Sequence, residues 1–151
     1  MLRVEEGATY GSRLVTTEPI PAGALVQRIE QPERLPTPNY RTIQVSEDTH
    51  VDNLGPLAYL NHSCAPNTFV DAERLEVRAL RDVQAGEELT LFYPATEWEM
   101  DRSFDCLCGT ADCIGLIAGA SALPLEVLAR YHLSDHVRRL LRERGPAAVA
   151  K

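Results

Sequence analysis

The chain has 151 residues, 44% hydrophobic and 25% charged, with a formal net charge of −7 and a pI near 5.1. That length suits one domain with its own core, and the acidic balance argues against a general polyanion binder while favouring a basic partner. No stretch approaches the roughly 18 apolar residues of a membrane span, and Met1-Leu2-Arg3-Val4-Glu5-Glu6-Gly7 lacks the cationic flank and apolar run of a secretory leader, so the expected location is intracellular, in the cytoplasm.

From Met1 to about Tyr93, short β-rich runs alternate with Gly and Pro: Leu14-Val15, Ala24 to Val26, Thr42 to Val45, Thr68 to Val70, Leu75 to Leu80 and Leu89 to Tyr93. These read as strands of several small sheets. Pro21-Ala22-Gly23 and Gln84-Ala85-Gly86 read as turns entering strands. The stretch Gln31 to Asn39, with Pro32, Pro36 and Pro38, is expected to be an exposed connection, because proline cannot ladder inside a sheet. After Gly115 the pattern changes. Leu125 to Tyr131 has helical spacing behind Pro124, and a second helix is expected from a cap at Ser134 or Asp135 through Leu141, stopped by Gly145-Pro146. Residues 130 to 151 carry six basic and two acidic side chains, which reads as a solvated helix face and not as a nucleic-acid interface. His50, His132 and His136 are expected on the surface, and Trp98 over an apolar edge.

The four cysteines are Cys64 and the cluster Cys106, Cys108 and Cys113. Together they make one complete tetrahedral thiolate set for zinc, in which C-x-C-x4-C supplies three ligands and Cys64 pins a distant segment. Free buried thiols or two disulfides are the alternatives. Cys106 and Cys108 are too close to pair comfortably, which weighs against the disulfides.

Two more strings lie between them, Asn61-His62-Ser63-Cys64-Ala65-Pro66-Asn67 and Gly86-Glu87-Glu88-Leu89-Thr90-Leu91-Phe92-Tyr93. Alone, the first is an ordinary turn and the second a turn and strand. Their order and spacing with the cysteine cluster resemble a SET-domain protein lysine methyltransferase with a zinc-binding post-SET segment, over roughly Gly11 to Gly115. The resemblance implies a mainly β fold with short helices: a SET β-clip of several small sheets with a C-terminal pseudoknot, then the post-SET segment and a helical tail. The implied division is 1–97, 98–117 and 118–151.

The same resemblance implies an S-adenosyl-L-methionine site at Gly11, Ser12, Arg13, Tyr59, Asn61, His62, Phe104 and Leu107. It implies a substrate channel at Tyr59, Leu91 and Tyr93, and zinc on Cys64, Cys106, Cys108 and Cys113. Tyr93 aligns with the family's active-site tyrosine, whose hydroxyl orients the amine. Leu91, without a hydroxyl to hold a water, leaves room for multiple methylation. The implied partner is a lysine-containing, basic protein or peptide. Lys151 is the single lysine, so any self-methylation falls there or on the N-terminal amine.

Three positions depart from the family pattern: Arg13 where a glycine is usual, Ala58-Tyr59 for Arg-Phe, and Phe92 for an acidic residue. No cysteine-rich pre-SET segment is recognisable. If position 13 needs a positive φ, arginine is uncomfortable there, and the chain is then expected to be a zinc-stabilised, peptide-binding SET-like module without turnover. Methylation of a small-molecule amine is a third expectation.

Overall fold

The computed structural model describes residues 1–7 and 9–145. Pro146 and Lys151 lie outside the described residues, so the second half of the expected helix stop and the self-methylation site have no structural account.

Two short strands begin the chain, β1 (Leu2–Gly7) and β2 (Gly11–Thr16), joined as an antiparallel hairpin. Gly11 sits at φ +86°, a left-handed value that lets the hairpin close without Cβ strain. A three-stranded sheet contains β3 (Leu25–Arg28), β9 (Glu76–Ala79) and β8 (Thr68–Asp71), with β9 central. The expected turns hold: Gly23 precedes β3 and Gly86 follows β9, with φ of +81° and +87°. A second three-stranded sheet places β6 (Thr49–Asp52) between β4 (Glu33–Leu35) and β5 (Ile43–Ser46).

This second sheet corrects the reading of Gln31 to Asn39 as connection only. Glu33 to Leu35 form an edge strand between Pro32 and Pro36, where one side of the backbone needs no ladder partner. The central strand β6 escaped notice because Thr49-His50-Val51-Asp52 has no apolar alternation. It is nonetheless buried, with Asp52 held by the Arg41 guanidinium at 2.9 Å.

The two motif strings meet as β7 (Asn61–His62) and β10 (Thr90–Leu91), a parallel pair with Asn61 opposite Thr90 and His62 opposite Leu91. Residues on both sides lock the crossing. The N–H of Ser63 donates to the Leu91 carbonyl at 2.9 Å, and buried Asn67 donates to the Glu88 carbonyl and accepts from the Thr90 N–H, each at 2.8 Å. Just before β10 the chain also bonds β2, with the Leu89 N–H on the Leu14 carbonyl at 2.8 Å. The expected strand through Tyr93 therefore ends early, because residues Tyr93–Ala95 turn into a 3-10 helix containing Pro94.

The apolar core divides in two. Leu14, Val26, Ile43, Val51, Leu57, Val77, Leu89 and Leu91 belong to the body formed by the sheets. Phe92, Ala95, Ala120, Leu128, Leu133, Val137 and Leu141 form a second cluster. Most of the second comes from α1 (Leu125–Leu128), α2 (Asp135–Arg144) and the turns before them, so the C-terminal helices are packed structure built onto the strand end. Ser134 takes the N-cap position of α2 as expected, without a side-chain cap bond.

Two histidines correct the surface expectation. His50 and His136 are buried, whereas His132 is exposed and lies over Phe69, 4.1 Å between ring centres. The reason for His136 is a partner distant in sequence: its Nε2 lies 2.7 Å from the Thr96 carbonyl. Trp98 packs against the second cluster with Arg144 over its ring. Among the described residues no helix is long and apolar enough to cross a membrane.

Candidate active site and metal centre

His62 follows from β7 into the body and is almost fully buried. Its Nδ1 accepts the backbone N–H of Tyr93 at 3.0 Å, which assigns the proton of the neutral ring to Nε2. That nitrogen lies 3.4 Å from the Cys64 Sγ. Burial pushes the His62 pKa down to about 4, so the ring is neutral at physiological pH. One imidazole thus joins the segment bearing Tyr93 to the segment bearing the lone cysteine.

The Tyr93 hydroxyl donates to the Leu60 carbonyl at 2.5 Å, and burial holds its phenol above the usual tyrosine range. Around it stand three other rings. His62 and Phe104 lie 5.4 and 6.0 Å from it, both edge-on, and Tyr10 meets Phe104 at 6.3 Å. A cavity of about 350 Å³ is lined by these four residues with Asn61, Leu91, Arg41 and Glu97, among others. Aromatic walls of this kind attract cations electrostatically and exclude water.

Of the residues expected at the site, the cavity brings together Tyr93, Leu91, Asn61, His62 and Phe104. Gly11, Ser12 and Arg13 are tied to its rim through the Asn61 amide, which donates to the Ser12 carbonyl at 2.7 Å and to Glu88 at 3.0 Å. Tyr59 and Leu107 are exposed and do not line it. Leu107 does contribute its N–H to the Tyr10 hydroxyl at 2.7 Å, which fastens the cysteine segment to the β1–β2 hairpin.

Arg13 sits in the regular part of β2, opposite Glu5, and it is not among the non-glycine residues with positive φ. Its guanidinium pairs with Glu5 at 2.9 Å. The positive φ that would make arginine uncomfortable at position 13 is absent.

The cavity residues missed from sequence include Tyr10 and Glu97. Tyr10 had a usable signal, its place directly before the Gly11 motif. Glu97 had none, because its partner Gln44 lies 53 residues away.

The cysteine sulfurs of Cys64, Cys106, Cys108 and Cys113 all lie within 4.8 Å of one another. Cys64 and Cys106 are 3.8 Å apart, the edge expected of a tetrahedron with metal–sulfur bonds of about 2.3 Å. Backbone N–H groups of Ile114 and Cys108 point at the Cys64 and Cys106 sulfurs, each at 3.4 Å. Such donors favour thiolates. Burial pushes the free Cys64 thiol up, a cost that a bound cation removes. The donor set fits a metal ion.

Short crossing strands, an aromatic cavity against them and a four-cysteine flap are the arrangement that the SET resemblance implies. The SET domain family model matches residues 11–94. Methyltransferase flvH of Aspergillus flavus is 41% identical over 143 residues, covering 93% of this chain and 80% of that protein. An H3 lysine-4 specific histone-lysine N-methyltransferase of Emericella nidulans is 38% identical over 84 residues, 49% of this chain. This chain spans only 7% of that relative's length. The fold of KRYPTONITE, solved in complex with mCHH DNA, H3(1-15) peptide and SAH, superposes with a TM-score of 0.60 at 25% identity. That match covers 76% of this chain and 29% of the other. The chain belongs to the SET domain family.

Proposed function

We propose that the chain methylates the side-chain amine of a lysine in a basic, extended protein segment, with Tyr93 as the catalytic residue. The observation that carries this reading is the bond between His62 Nδ1 and the Tyr93 N–H, which fixes both motif segments at one aromatic cavity. S-adenosylmethionine, when bound, supplies a methyl group on a cationic sulfur. The residues do the rest by placement. In-line transfer demands that donor and amine meet end to end, so alignment and exclusion of water supply most of the rate. The Tyr93 hydroxyl, already anchored on the Leu60 carbonyl, orients the amine and stabilises charge around the moving carbon. Asn61, His62 and Phe104 contribute to the cofactor side, together with the Gly11 to Arg13 backbone. Leu91 lines the amine side without a polar atom, which favours more than one round of transfer.

Cys64, Cys106, Cys108 and Cys113 hold zinc in this reading, and the metal fastens the segment that carries Phe104 against the cavity. Zinc chemistry there is structural, since all four ligands come from the protein and no position stays open. The segment divisions at residues 97 and 117 follow this logic, with 98–117 as the zinc flap. The expected location of the protein is intracellular, and its net charge of −7 suits a basic peptide.

The test is transfer of label from S-adenosylmethionine to basic proteins and lysine peptides, with wild type compared with Tyr93→Phe. Transfer by wild type and its loss in the variant are expected. No transfer to any protein, with the two forms indistinguishable, overturns the reading.

A further inference from the structure

Glu97 ends the turn that carries Tyr93, lines the same cavity and is only 8% exposed. Its Oε2 accepts the Gln44 backbone N–H at 2.9 Å and the Thr96 hydroxyl at 2.6 Å. Its Oε1 has no hydrogen-bond partner among the described residues. A buried carboxylate without a counter-charge is costly, and proteins retain such groups where a ligand supplies the charge.

Among the described residues no cation pairs with that carboxylate. Arg41, on the cavity wall, is committed to Asp52 at 2.9 Å. The His62 ring is spent on Tyr93 and Cys64. On the helix side, His136 faces the Thr96 carbonyl, and on the sheet side His50 stands opposite Gln44; burial pushes both histidines down, toward the neutral form. Exposed Asp101 and Arg102 line the cavity with opposite charges. Tyr10, Tyr40 and Tyr93 complete the ionisable groups lining the cavity. Burial meanwhile lifts the Glu97 carboxyl to about 7, the range in which it exchanges a proton at neutral pH.

We propose that Glu97 receives the substrate ammonium in the cavity and takes one of its protons on Oε1. The inference rests on the proposed methylation of an amine. The N–H bond breaks, the O–H bond forms, and the amine keeps its electron pair. That pair then forms the N–C bond while the S–C bond of the methyl donor breaks, its electrons staying on sulfur. Glu97 returns the proton to water once the product leaves. Lysine, ordinarily near 10.4, must be lowered for this transfer, and desolvation beside a sulfonium acts in that direction.

Glu97→Gln keeps the shape and the acceptor for the Gln44 N–H, while Glu97→Asp restores a carboxylate. For a lysine peptide, kcat/KM is expected to fall at least tenfold in the Gln form, with partial recovery in the Asp form and product-cofactor affinity within twofold of wild type. The limb of the pH profile near 7 disappears in the Gln form. Independently, the side-chain carbon signal of Glu97 in 13C-glutamate-labelled wild type should titrate at lower pH when the lysine peptide is added, and not with its norleucine analogue. Unchanged kinetics and pH profile in the Gln form overturn the proposal, as does a Glu97 signal that ignores the amine. A Glu97 signal that responds in a protein that methylates no lysine leaves the amine site standing and sinks the enzyme reading. Methylation with an unresponsive Glu97 does the reverse.

Discussion

The ring of Tyr131 lies flat on Phe92, with ring centres 3.5 Å apart and planes within 1°, and its hydroxyl donates to the Cys64 carbonyl at 2.7 Å. Phe92 stands where the family usually has an acidic residue. The His62 ring also lies 5.4 Å from Phe92. The departure from the family pattern is therefore the keystone of the second core cluster, which braces the strand end bearing Tyr93 from behind. Removing it by Phe92→Ala should cost about 3–5 kcal/mol, read as a fall in the urea midpoint. Tyr131→Phe loses only the bond to Cys64 and should cost about 1 kcal/mol. Equal effects would show that the ring stack carries none of the stability.

Tyr93→Phe removes the hydroxyl and leaves the backbone bond to His62 in place. Methyl transfer should fall about 100-fold or more, as for the loss of one transition-state donor. Cofactor affinity by calorimetry should stay within a few-fold. A variant with wild-type turnover would remove Tyr93 from the chemistry.

Burial of Glu97 carries a sign that stability measurements can read. Its folded value of about 7 exceeds the ordinary 4.5, so the native state holds its proton more tightly than the unfolded chain. The native state is thus progressively destabilised as pH rises from about 4.5 through 7, by about 3 kcal/mol in total. Glu97→Gln lacks this slope. Relative to wild type, the variant should gain about 2–3 kcal/mol between pH 5 and pH 8 in urea unfolding. A constant difference across that window would mean that the carboxyl titrates normally.

Zinc content should be one per chain and should fall nearly to zero in Cys108→Ser. The thiolates must be deprotonated to bind, so acidification also releases the metal. Amide exchange should rise in residues 102–117 and remain low in β3, β8 and β9. Stoichiometric zinc in the variant would exclude Cys108 as a ligand.

Gly119 marks where the second cluster closes on the chain leaving the turn after Tyr93. It has φ +116°, and an added Cβ would meet the Trp98 carbonyl oxygen at 2.5 Å. Gly119→Ala should cost about 2–4 kcal/mol through the combined backbone and packing penalties. A thermal midpoint unchanged from wild type would show that Trp98 moves aside freely.

The chain alone was sufficient for the family, the short-strand architecture, the cysteine cluster and five of the cavity residues, because these rest on local patterns: Asn61-His62-Ser63-Cys64, Gly86 to Tyr93, and C-x-C-x4-C. Glycine before an apolar run and cysteine spacing have consequences within a few residues, so they can be read along one dimension. Other features depended on partners far away. β6 is buried because β4 and β5 flank it, His136 because Thr96 receives it, and Arg13 is accommodated because Glu5 lies across the hairpin. Glu97 became visible only when Gln44 and the cavity were in place. Residue type and spacing determined which chemistry this protein carries; tertiary packing decided which groups are denied water and which charges lack partners, and those energies depend on neighbours that sequence order does not name.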